Sequence, residues 1–235
     1  MKQLKSIAPD YPRIAHLCKE ISNMTEDDLM MVSSISEIPL PLDCWVQEKL
    51  DAANVGVSWL DAPILRNRDH VLTKNYSKIK TPAKQQFVPA WNWVHAHEGD
   101  IKHVAACLES DVTIYGEWMW AKHSLEYDLL SDWFIAYDIW SVADKKFVAP
   151  DVMQILLSET NIKYIMPHKR VFKSVQEILA HAEAPSAYRN GVREGDVFKM
   201  AANGFVTDSF KVVNKSFVRR NDFNNVPMER NSLKK

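Results

Sequence analysis

Apolar positions along the chain recur at two periods. Between Trp45 and Leu60 they alternate or cluster around a short run of small residues, which predicts a strand, a tight connection and a second strand. Another strand is expected within Ala62–Leu72. "VTIYGEWMW" (112–120) and "WFIAYDIW" (133–140) are aromatic and β-branched, as central strands tend to be, and "GDVFKMA" and "SFKVVNKSF" supply two more. Helical spacing appears in "WNWVHAHEGDIKHVAACLESD" (91–111). It appears again in "SVQEILAHAEA" (174–184), where Ser174 is placed as a cap and Val175, Ile178 and Leu179 share a face. The leader from Tyr11 to Pro41 is predicted to be helix and loop, with Thr25 capping "MTEDDLMMV" and Pro39 and Pro41 stopping any helix. Hairpin-length links dominate the strand pairs, so the pattern favours an α+β domain built on antiparallel sheets over a doubly wound one.

Composition narrows the class without naming a function. With 235 residues, 46% hydrophobic and 25% charged, the chain is an ordinary globular protein able to bury a core without staples, and it is expected to form a single domain. That domain is taken as 1–235, with 1–41 as a leader and 218–235 as a basic tail. Cys18, Cys44 and Cys107 are odd in number and far apart, which predicts neither a disulfide framework nor a zinc site and suits a reducing cytoplasm. No apolar run has the length of a signal peptide core or a membrane span, so no membrane partner is expected. The 29 basic and 30 acidic residues nearly balance, but "KNYSKIKTPAK" concentrates Lys74, Lys78, Lys80 and Lys84 without an acid. That stretch suits a phosphate-binding patch about as well as a solvated loop.

Chemistry concentrates around Lys49, which stands with Asp51 in a segment that otherwise resembles a buried strand. A lysine there must stay wet, find an anion or lose its proton. Cations and a metal nearby would lower its pKa and free a nucleophilic lone pair; alternatively it is a strand-edge lysine paired with Glu48 or Asp51. His95, His97 and His103 attract a zinc reading. Histidines at i, i+2 diverge on a helix, however, and no fourth ligand is suitably spaced, so they are expected not to be ligands.

"EKLDAANVGV" (48–57), "LRNRDHVL" (65–72), "IYGEWMWAKHSLEYDLLSDWFIAYDIW" (114–140), "REGDVFKM" (193–200) and "SFKVVNKSF" (209–217) occur in this order. They resemble nucleotidyltransferase motifs I, the following ribose-contacting motif, III with IIIa, IV and V, in the form used by ATP-dependent RNA ligases. "YPRIAHL" (11–17) is similar to the leader of bacterial and phage members. The resemblance implies a nucleotidyltransferase, ATP-grasp-like core of antiparallel sheets flanked by helices, with ATP and Mg2+ or Mn2+ as cofactors. It also implies RNA as partner, nicked or with 3′-OH and 5′-phosphate ends, with DNA as a second candidate.

The resemblance assigns Lys49 as the nucleophile that takes AMP, and Glu48, Asp51, Asn54, Arg68, Glu117, Tyr137, Lys199 and Lys211 as nucleotide-binding residues. Glu194 becomes a ligand to the metal. Such a site needs an aromatic plate for the base, which Tyr137 or Phe134 can supply, and a ribose acceptor, which Glu117 can supply. It also needs a fork donor in Arg68, cations for the α-phosphate in Lys199 and Lys211, and a hard oxygen in Glu194. Two positions depart from the family pattern: Ala52 stands where glycine is usual, and Val213 where many relatives carry a second basic residue, leaving Lys211 to work with Lys199 or Lys215. The chain is also expected to lack the additional C-terminal domain of many relatives. Two other readings remain: another covalent nucleotidyltransferase, such as a DNA ligase or capping guanylyltransferase, and an RNA-end-binding protein with little turnover.

Overall fold

The computed structural model describes residues 9–68, 70–72, 85–220 and 229–234. Two sheets carry the chain. The first has the order β1-β12-β11-β2-β10, built from β1 (Ala15–His16), β2 (Leu42–Lys49), β10 (His168–Phe172), β11 (Gly195–Ala202) and β12 (Phe205–Val213). The second runs β5-β4-β3-β6-β7-β8, with β3 (Ala53–Trp59), β4 (Pro63–Asn67), β5 (His70–Leu72), β6 (Val112–Trp118), β7 (Phe134–Ser141) and β8 (Lys146–Phe147); β9 (Lys163–Tyr164) adds to β7. Pairing is antiparallel except for β1 with β12 and β7 with β9.

Each sheet has its own core. Leu42, Cys44 and Val46 alternate inward from β2 onto Phe198, Phe210 and Phe172, and α4 (Val175–Ala182) closes that face with Val175, Ile178 and Ala182. Ser174 caps α4, its side chain accepting from the Glu177 N–H at 3.3 Å. On the second sheet, Val55, Val57, Ile114 and Ile139 pack against Trp93 and Val94 of α1 (Val88–Ala96), Ile101 and Val104 of α2 (Glu98–Cys107), and Met153 and Leu157 of α3 (Pro150–Ser158). Leu50, 2% exposed and packed with Met119, Tyr127 and Ile165, anchors the chain where it leaves one sheet for the other directly after Lys49.

Two expectations change here. The 91–111 helix is broken at His97, whose ring stacks on Trp93 at 3.9 Å and whose Nδ1 meets the Trp93 carbonyl at 2.8 Å, competing with the helical ladder. The leader, between 9 and 41, holds only β1 and a short 3₁₀ turn at Ile35–Glu37 instead of an α-helix. Thr25 does not cap a helix: the Asp28 carboxylate accepts from its N–H at 2.9 Å and its hydroxyl at 3.0 Å, which fixes a turn. The leader is instead strapped across the molecule by Tyr11 Oη to Asp138 Oδ2 (2.6 Å), by Asp10 to Arg66, and by Tyr115 Oη to the Pro9 carbonyl.

His16 couples this strap to pH. It is 2% exposed, pairs through Nδ1 with Ser22 Oγ at 2.5 Å, and faces Lys211, Lys49 and Arg219 as well as Asp28. Burial, reinforced by Lys211, lowers its pKa to about 4. A base depressed in the folded state contributes fully above its unfolded pKa near 6.5 and loses that contribution as pH falls toward 4. Denaturant unfolding is expected to show a loss of roughly 3 kcal/mol across this window, absent in His16→Gln.

Candidate active site

A cavity of about 580 Å³ opens between the two sheets, a volume suited to a nucleotide. β2 brings Lys49 to its wall, β3 Asn54, β6 Glu117, β7 Tyr137, β11 Lys199 and β12 Lys211, while Arg68 enters from the turn between β4 and β5. Asn54 and Glu117 are register partners on neighbouring strands, so the pleat delivers both to one face. Arg68 holds the left-handed conformation at φ 46°, which turns the hairpin tightly there. These seven motif residues are thus gathered in one place, six of them by strands and Arg68 by a turn.

Lys49 Nζ donates to Glu194 Oε1 at 2.6 Å, so its partner is neither Glu48 nor Asp51. Glu194 is 3% exposed and does not line the cavity; it lies behind the ammonium. Gly195, opposite Lys49 in register, lets β12 pack close beside it: a Cβ there would fall 2.1 Å from the Val212 carbonyl oxygen. Burial alone would lower the Lys49 pKa. The charge and hydrogen bond of Glu194, with Glu117 and Asp51, raise it instead, reversing the expected direction. The expected cations are outweighed by three carboxylates.

Glu117 is the opposite case. Burial, with Glu194 and Asp51 adding to it against Lys49, pushes its pKa up to about 8. Its Oε2, Glu194 Oε2 and Asn54 Oδ1 are buried without hydrogen-bond partners. Orphaned hard oxygens are costly unless a ligand completes them, and carboxylate and amide oxygens fit a hard divalent cation.

Other predicted residues are occupied elsewhere. Glu48 also lines the cavity, but its carboxylate accepts from Ser186 Oγ and, at 2.9 Å, from the Ala187 N–H, which pins the 185–188 loop. Asp51 Oδ2 accepts from the Ser124 and Leu125 N–H groups at 2.6 and 2.9 Å. Lys199, though on the cavity wall, donates to Gln47 Oε1 (2.6 Å), Asp138 Oδ1 (2.7 Å) and the Tyr137 carbonyl (2.8 Å). All three protons are spent, so in this arrangement it has none left for a phosphate.

Tyr137 lines the cavity, its hydroxyl accepting from Asn54 Nδ2, whereas Phe134 is fully buried against Trp93 and is not available as a plate. Tyr11 meets the Tyr137 ring at 5.2 Å, edge to face. Among the described residues, Lys211 has no ion pair or hydrogen bond through its ammonium; burial and the neighbouring Lys49 lower its pKa to about 8. Lys215 is exposed and off the cavity, where Arg13 and Arg219 stand instead. Arg13 falls in the 11–17 leader stretch and Arg219 in the basic tail, but neither was assigned a site role, because an arginine in an irregular segment carries no periodic signal. Ala52 is outside the left-handed conformations, so its backbone does not demand glycine. Lys74, Lys78, Lys80 and Lys84 lie outside the described residues.

The sequence profile of the RNA ligase family matches residues 42–213, from β2 to β12. No curated protein matches the chain. Among solved structures, the Naegleria gruberi RNA ligase with PPi is similar at 22% identity and a TM-score of 0.56, over 75% of this chain and 51% of that one. A mutant of that ligase with ATP and Mn gives 18% identity and a TM-score of 0.51, over 75% and 50%. A further mutant with AMP and Mn gives 18% and 0.51, over 75% and 51%. The likeness is one of fold, and the chain spans about half the length of these ligases.

Proposed function

Since the chain belongs to the RNA ligase family, we propose that it joins RNA 3′-OH and 5′-phosphate ends at the expense of ATP through a covalent lysyl-AMP on Lys49. The observation that carries this reading is the position of the Lys49 amine on a nucleotide-sized cavity shared with Glu117 and Lys211 and backed by Glu194 at 2.6 Å. The described relatives hold ATP, AMP and Mn, which supports the same ligands here.

In this mechanism Tyr137 stacks on the base, and Arg68 and Glu117 contact the ribose. Lys49 Nζ attacks the α-phosphorus, the N–P bond forms, and the P–O bond to pyrophosphate breaks. The ammonium must lose a proton first, and Glu194 Oε1 is the acceptor within reach. Lys211, without an ion pair among the described residues, stabilises the charge that builds on the phosphate, with Arg219 and Arg13 on the same cavity. Glu117 and Asn54 on the cavity wall, with Glu194 behind Lys49, carry the unpartnered hard oxygens that would hold a magnesium or manganese ion, and the ion would supply positive charge against the phosphate oxygens. AMP then passes to an RNA 5′-phosphate, and a 3′-hydroxyl displaces it to join the strands. Lys199 takes no part in phosphate contact.

Incubation with α-labelled ATP or GTP tests the reading. A covalent adduct with ATP is expected, followed by sealing of RNA ends that weakens steeply with salt. An adduct with GTP alone would assign a capping guanylyltransferase, and RNA binding without any adduct would assign an end-binding protein. Sealing of DNA in preference to RNA would move the substrate. Arg219→Ala is expected to raise the KM for ATP about tenfold, as loss of a charge-assisted contact does, with the folded state unchanged.

A further inference from the structure

His103 and Cys107 stand one turn apart on the same face of α2, and Glu159 follows directly on α3. His103 Nε2 lies 3.1 Å from Glu159 Oε2 and 3.6 Å from Cys107 Sγ, and the three donor atoms all fall within 4.8 Å of one another. Zinc bonds of about 2.0–2.1 Å to nitrogen or oxygen and 2.3 Å to sulfur place neighbouring ligands of a tetrahedron about 3.3–3.6 Å apart. Two edges of one face of such a tetrahedron, both meeting at His103, are therefore near ligand spacing before any ion arrives, and the third lies within 4.8 Å.

The scaffold holds that spacing. One turn earlier on α2, Asp100 Oδ1 accepts from the Asn161 N–H at 3.3 Å, tying the end of α3 to α2. Cys107 is exposed whereas Cys18 and Cys44 are buried, so it is the thiol that solvent and ions reach. Imidazole, thiolate and carboxylate together favour zinc over the hard cations that suit the nucleotide cavity. The histidine spacing alone could not reveal this, because the partners of His103 are a cysteine four residues on and a carboxylate 56 residues away.

We propose that His103, Cys107 and Glu159 form an open three-ligand zinc site that joins α2 to the end of α3, with water completing the coordination. None of the three lines the nucleotide cavity, so this site stands or falls independently of the ligase reading. Binding deprotonates the thiol and adds no other covalent change.

Cobalt(II) is the probe, added to reduced wild-type protein in excess magnesium so that hard oxygen sites stay filled. A near-ultraviolet thiolate-to-cobalt band is expected, saturating at a single equivalent, displaced by zinc, and lost in Cys107→Ser. Zinc affinity should fall about tenfold or more in His103→Ala and in Glu159→Ala. Zinc should also raise the melting temperature of wild type but not of Cys107→Ser. Absence of the band in wild type, or its persistence in Cys107→Ser, would overturn the site and leave a hydrogen-bonded surface cluster.

Discussion

Lys49→Ala is expected to abolish the covalent nucleotide adduct, lowering its rate of formation by at least about ten-thousandfold, on the scale seen when a nucleophile is deleted. No other lysine on the cavity replaces it: Lys199 is fully engaged with Gln47, Asp138 and Tyr137, and Lys211 arises from a different strand. Lys49→Arg makes the sharper test. It keeps a cation beside Glu194 and so preserves the buried pair, but a guanidinium does not deprotonate and cannot attack phosphorus. Both variants should still seal RNA supplied with a 5′-adenylylated end, since that step needs the cavity and not the amine. Adduct formation by Lys49→Arg at the wild-type rate would remove the nucleophile from the mechanism.

Why the sequence revealed some of this and not the rest follows from where each residue sits. Lys49, Asn54, Glu117, Tyr137 and Lys211 lie on β2, β3, β6, β7 and β12, whose apolar and aromatic runs marked them as strands, but these strands belong to two sheets, so it was motif order and not periodicity that put the residues in one site. Periodicity carries no information about partners across the fold. Glu194 is 145 residues from Lys49, and its approach reverses the direction of the lysine pKa. The leader misled because Thr25 and the acidic residues after it match a helix start, yet Asp28 turns back onto Thr25 and the strap is fixed by Tyr11 and Asp10 from outside the segment. Arg13 and Arg219 enter the cavity from segments with no regular pattern, so only the tertiary structure identifies them.

Lys199 is where motif order and geometry part most clearly, and its replacement should affect stability before catalysis. The Lys199 and Asp138 side chains are 3% and 5% exposed, and Tyr11 Oη donates to the second oxygen of Asp138 at 2.6 Å. Removing one partner from a buried pair strands the other, which costs about 3–5 kcal/mol, so Lys199→Met should destabilise by that amount in denaturant unfolding. Joint replacement of Lys199 by Met and Asp138 by Leu should recover part of the loss, because an apolar pair of similar volume leaves no charge unsatisfied. A phosphate ligand predicts a different pattern: unfolding within about 1 kcal/mol of wild type, a raised KM for ATP, and no rescue by the second substitution. The burial and the three filled donors favour the structural pattern, with a consequence for the site itself. Lys199 holds the Tyr137 carbonyl and Asp138 holds Tyr11, so this pair fixes the cavity wall at Tyr137, where base stacking is proposed, and the strap beside it.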